Sequence, residues 1–156
     1  MNFCHYFKNL VTNTQITQII VENCQEFIEN NMAKIDEILY KLFIFFQNEQ
    51  CPPEAFLISL SSLYIKEAFL LAISQRFFPE IQQYFCEKYA DEIEQIITEV
   101  INNMIDNISK YKNPQSAILS FLKTKEGIIH CFMTGYLIAY SLNRYHLQTL
   151  LLTSAL

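Results

Sequence analysis

The sequence predicts an all-α protein: a single antiparallel bundle of five to six helices covering residues 1–156, with long, partly bent helices. Three observations carry that expectation. The chain holds 2 Gly and 4 Pro, 6 of 156 positions, where average usage would supply about 12%; a β-sandwich or barrel needs more turn residues than that. The prolines fall at three places, 52/53, 79 and 114, each between stretches whose apolar residues recur at three- and four-residue steps. Finally, 51% hydrophobic and 17% charged residues, with 13 Phe and 9 Tyr, exclude a disordered chain and supply a bulky core. The excess of 21 Ile over 3 Val and of 9 Lys over 2 Arg is a bias of AT-rich codons, which also depletes Gly and Pro. Placement of the punctuation therefore carries more weight than its count.

Thr12 followed by Gln15 is a capping-box pattern, so a helix is expected to begin near Asn13. From there to Asn48 the stripe Ile16, Ile19, Ile20, Cys24, Phe27, Ile28, Ile35, Ile38, Leu39, Leu42 and Phe46 is amphipathic. Asn30-Asn31 interrupts it, leaving one bent helix or two consecutive ones. Pro53 to Phe77 is the next helix, apolar on most sides and so largely buried. The clearest periodicity runs from Ile81 to Tyr111, a predicted helix of about 45 Å at 1.5 Å per residue. A loop through Lys112 and Asn113 leads to a short helix from Pro114 to Leu122, with Asn113 as its N-cap. Thr124 then caps a final helix from Lys125 to about Thr153.

The formal charge is −5. Residues 1–79 sum to −3, 80–106 to −6 and 107–156 to +4. Without a stripe of Lys and Arg to contact phosphates, a nucleic-acid groove is not expected. The five cysteines are scattered, form no CxxC pair, and suit a reducing intracellular, cytoplasmic setting better than a disulfide framework. Residues 1–11 lack the long apolar core of a secretory signal. A bilayer span needs about 20 apolar residues. Gly127–Leu142 falls short of that, and Phe56–Ile73 is interrupted by Lys66 and Glu67, so membrane contact is expected to be at most peripheral.

Three constellations stand out. On the final helix Gly127, Cys131, Gly135 and Ala139 recur every four residues, a face that admits a closely approaching helix, either internal or from a second subunit. Both glycines of the chain lie on this helix. Beside that face, Glu126, His130, Thr134, Ser141, Arg144 and Gln148 fall in one sector. They are the helix's exposed side, a buried hydrogen-bond network, or the lining of a small-molecule pocket formed by His130, Thr134 and Ser141. Glu87, Asp91 and Glu94 form an acidic row; like charges so placed need offsetting by water, by a basic partner, or by Lys110, Lys112, Lys123 and Lys125.

Catalytic chemistry finds little material. There is no ExxH metal motif, only 3 His, and no glycine before position 127 to build a phosphate loop. A non-enzymatic interaction or regulatory protein is therefore expected, acting as a homodimer or as a subunit of a larger assembly, with no cofactor. The alternative is a sensor or carrier of a small apolar ligand bound in a cavity between helices.

Overall fold

A computed structural model describes residues 2–47, 52–75, 77–108 and 113–155. Among them lie eight α-helices: α1 Phe3–Thr12, α2 Thr14–Asn30, α3 Met32–Gln47, α4 Glu54–Ser74, α5 Pro79–Lys88, α6 Ala90–Ile108, α7 Pro114–Leu122 and α8 Lys125–Ala155. The all-α class holds. The number exceeds the expected five to six because Phe3–Thr12 forms a helix of its own and the apolar stripe from Ile81 is broken at Tyr89.

α1 forms because Asn2 caps it, its side chain accepting from the His5 N–H at 2.9 Å, and because Phe3, Phe7 and Leu10 fall on one buried face. At the next junction the cap is Asn13 rather than Thr12: the Asn13 side chain accepts from the backbone of Gln15 and Ile16, while Thr12 donates to the Asn9 carbonyl. Asn31 decides the question of one helix or two. Its side-chain amide donates to the Phe27 carbonyl at 2.9 Å, closing α2, and α3 starts beyond it. The long stripe from Ile81 is also two helices, broken at Tyr89, whose backbone leaves helical geometry at φ −108°, ψ 16°. Tyr89 is buried there against Phe3, Phe85 and Tyr145, so the break brings a large aromatic inward. Pro79 and Pro114 open α5 and α7 from inside the first turn, and Asn113 caps α7 through the Ser116 N–H at 2.8 Å. Pro53 stands one residue earlier, at the cap of α4.

The centre of the molecule is α4 lying along α8. Gly135 meets Ile65, Ala68 and Phe69, and Ala72, Ile73 and Phe77 lie against Tyr136, Ala139 and Tyr140. Residue numbers rise together in those contacts, so the central pair runs parallel, where the sequence predicts an antiparallel bundle. The physical reason is the connection: α6 returns along α4 in the opposite sense and α7 leads back, so α8 enters in α4's direction. Around this pair, α2 packs on α8 through Phe27 against Phe132 and Tyr136. α1 sits between α6 and α8, holding Lys8 to Glu99 at 3.2 Å and Phe3 to Tyr145. α3 is tied to α4 by Lys34–Glu67 at 2.6 Å and to α8 by Asp36–Lys125 at 3.0 Å.

Among the described residues one helix, α4, is long and apolar enough to cross a membrane by length and composition. In this fold α4 buries Leu57, Ile65, Ala68, Phe69, Ala72 and Ile73, and both its internal charges are paired within the chain, Lys66 with Glu94 and Glu67 with Lys34. A core helix of a bundle has the same character.

Candidate functional site

The small-residue face of α8 is occupied by the chain itself. A Cβ added at Gly135 would stand 2.5 Å from the Ile65 carbonyl oxygen, 2.6 Å from the Ala68 Cβ and 2.6 Å from the Phe69 nitrogen. One added at Gly127 would stand 1.8 Å from the Phe121 carbonyl oxygen, where α7 turns into α8. Cys131 and Ala139 are buried with them, and burial pushes the Cys131 thiol up to about 12. As interface candidates for a second subunit these four positions are corrected: backbone from α4 and the end of α7 already fills the space the missing side chains create.

His130, Thr134 and Ser141 do not form one pocket. His130 keeps an exposed edge while its ring lies edge-on to Phe121 at 5.5 Å, and this crowding holds its pKa below the usual histidine value. Thr134 donates to the His130 carbonyl at 2.9 Å. Ser141 is fully buried and donates to the Leu137 carbonyl at 2.7 Å. Each hydroxyl is satisfied one helical turn back, and none of the three residues borders the cavities described below. The stripe passes from solvent at Glu126 to core at Ser141 because α8 has neighbours on different sides along its length.

The acidic row is likewise divided. Glu87 ends on α5, where it accepts from Gln83 at 3.0 Å, whereas Asp91 and Glu94 lie beyond the Tyr89 break on α6. Glu94 is paired with Lys66 of α4. Of the lysines considered as counter-charges, Lys125 serves Asp36 instead, Lys123 is exposed, and Lys110 and Lys112 lie outside the described residues.

Two other features come from the packing. The first is a seam between α4 and α6 holding two depressions that meet at Lys66. The larger, about 320 Å³, has Ile58, Ile97 and Ile101 as its apolar wall and Ser59, Ser62, Thr98 and Asn102 as polar lining. The smaller, about 180 Å³, is lined by Phe69, Leu70, Cys86, Ala90 and Ile93, together with Glu94. A third depression of about 470 Å³ lies between α2 and α8, with Glu29 as its charged residue.

The second feature is the end of α3. Ile35, Ile38, Leu42 and Phe46 face the core, yet Tyr40 (65%), Phe43 (64%), Ile44 (47%) and Phe45 (46%) are exposed on the other side. Phe45 stacks on Phe56 of α4 at 5.9 Å, extending the apolar surface across two helices. The sequence held the signal in the unbroken run Leu42 to Phe46, which no one-sided amphipathic helix needs. Ser59, Ser62 and Lys66, three polar residues at steps of three and four within apolar α4, were the corresponding signal for the seam.

At the far end of α8, His146 packs edge-on to Phe85 at 4.6 Å, and its buried Nδ1 finds no hydrogen-bond partner. Burial first, and the Lys88 ammonium second, lower its pKa below the ordinary value of 6.5. The folded protein therefore binds fewer protons at this site than the unfolded chain. Stability from this site is complete above the unfolded pKa of about 6.5 and is lost as pH falls through the lower native one. Urea-unfolding midpoints measured across that window should fall in the wild type and fall less in His146→Gln. Identical slopes in the two proteins would refute the assignment.

Among the described residues no group of three or more His, Cys, Asp and Glu side chains is placed to hold a metal ion. Residues 6–151 match a family described as Protein of unknown function (DUF760). The chain belongs to that family. The matched segment begins within α1 and ends within α8, so the α4–α6 seam and the exposed end of α3 both lie in the family's shared unit. No curated protein and no solved structure matches the chain.

Proposed function

We propose that this chain is a non-enzymatic interaction protein that pairs with a second copy of itself through the exposed end of α3. The carrying observation is that the last two turns of α3 are apolar on both sides, with only the inner side covered by the chain's own core. A helix apolar all round belongs in a buried place, and exposed aromatic patches of this kind mark protein contacts. The rim of the patch carries one base and one acid, Lys41 and Glu37, paired at 2.7 Å and both well exposed. A two-fold axis brings such a rim against its own complement, which suits the isologous contact of a homodimer. The net charge of −5 argues against anionic lipid or nucleic acid as the occupant. The free, largely buried thiols of Cys4, Cys24 and Cys131 fit a reducing, intracellular setting.

Light scattering coupled to size exclusion tests the reading. The wild type is expected to run at twice its 18.4 kDa chain mass with increasing concentration, and Phe43→Glu to run as a monomer with unchanged helical circular dichroism. A wild type that stays monomeric across concentrations, or a Phe43→Glu variant that still dimerises, would overturn it.

A further inference from the structure

The seam between α4 and α6 carries side chains that neither the core nor the α3 surface uses. On α4, Ser62 and Lys66 are one turn apart; facing them on α6, Glu94, Thr98 and Asn102 follow one another at single turns. Among the described residues the side chains of Ser62, Thr98 and Asn102 form no hydrogen bond, although Ser59 beside them is satisfied by the Ala55 carbonyl at 3.0 Å. Lys66 borders both depressions and is the cation of the seam. Its partner Glu94 is half exposed, as Lys66 is, and an ion pair in that position adds little to stability. A ligand carboxylate that takes Glu94's place meets the same half-exposed ammonium, so its affinity must rest on the neighbouring donors and on burial of its tail as well as on Lys66.

The two depressions differ in chemistry. On the Ser62 side the seam offers hydroxyl and amide donors beside the ammonium, which together match the several acceptor positions of a carboxylate. On the far side of Lys66 the walls are Phe69, Leu70, Cys86, Ala90 and Ile93, mostly apolar, with Glu94 beside them. Leu63 and Leu70, 54% and 48% exposed, stand at the two depressions and have no apolar cover of their own. The α2–α8 depression is larger but has Glu29 and no cation, so it lacks a counter-charge for an anionic head.

We infer that the α4–α6 seam is a binding site for a medium-chain carboxylate. Its head takes the place of Glu94 on Lys66, with Ser62 and Thr98 donating to its oxygens, and its alkyl tail lies in the smaller depression over Phe69, Leu70 and Ile93. The site is separate from the α3 surface, and its occupancy does not depend on the chain's oligomeric state.

Titration of the full ¹⁵N-labelled chain with sodium octanoate, octan-1-ol and octylammonium chloride, followed by amide shifts, tests this directly. Octanoate is expected to move the amides of Ser62, Lys66, Thr98 and Ile93, and to bind more tightly than the other two. Lys66→Met should weaken octanoate severalfold, up to about fivefold, the scale of one exposed ion pair, and leave octanol unchanged. Ala90→Phe, which fills the smaller depression from an exposed position, should weaken both. Octanoate shifts located elsewhere, octylammonium binding as well as octanoate, or octanoate affinity unaffected by Lys66→Met would each overturn the assignment. Both variants should keep wild-type helical circular dichroism, and loss of octanoate binding together with loss of that signal in Lys66→Met would count against a role confined to the ligand.

Discussion

Gly135→Ala is expected to destabilise the protein even though it exchanges the worst ordinary helix former for the best. The exchange gains about 1 kcal/mol in helix propensity. Against that, the new Cβ would sit 2.5 Å from a carbonyl oxygen and 2.6 Å from a backbone nitrogen of α4, atoms that move only with their helix. Overpacking of this kind costs about 3 kcal/mol at the upper end of its usual range, so the net loss is about 2 kcal/mol. For a chain of this size that is a fall in Tm of roughly 4–8 °C, read by thermal unfolding at 222 nm. Gly135→Leu should not fold to the native packing. A Gly135→Ala variant as stable as the wild type would mean that α4 and α8 do not approach as closely as described.

Phe85→Ala should cost more, about 3–5 kcal/mol for a fully buried aromatic. The Phe85 ring is 1% exposed and stands 4.9 Å from Phe77, 4.6 Å from His146 and 6.2 Å from Tyr89, so it joins the turn that follows α4, the break between α5 and α6, and α8. Urea unfolding gives the stability loss. The same variant has a second readout: removing the ring admits water to His146, whose NMR titration should move up toward its ordinary 6.5. A loss below about 1 kcal/mol, or a His146 titration unmoved by the change, would remove Phe85 from this central place.

The sequence was most legible where one residue type does one local job. Pro79, Pro114 and Asn113 start helices because a fixed φ and a free side-chain acceptor act within a single turn. The Thr124 side chain accepts from the Gly127 N–H at 3.1 Å for the same reason. Legibility failed at Tyr89. An apolar stripe keeps its period across a one-residue break, and only the inward packing of that ring against Phe3 and Tyr145 reveals where the helix ends. The acidic row failed with it, because Glu87 and Glu94 share a face only if Tyr89 is helical.

The site residues follow the same division. Gly127 and Gly135 announced a close approach, since a helix tolerates such positions for what they admit, but spacing alone does not name the element admitted. His130, Thr134 and Ser141 share a helical sector, yet a sector is a direction and not a location; neighbours at different heights along α8 leave one exposed and another sealed.

By itself, then, the sequence determined that the chain is helical, where most of its helices begin, and that α8 carries a face for close packing, because caps, prolines and apolar period act over three or four residues. Tertiary structure alone decided that α4 fills that face, that α4 and α8 run parallel, and that the end of α3 and the seam at Lys66 stay uncovered by the chain's own core. Those outcomes depend on which helices meet across long stretches of chain, and the energy that selects them comes from shape-matched burial between elements rather than from any local pattern.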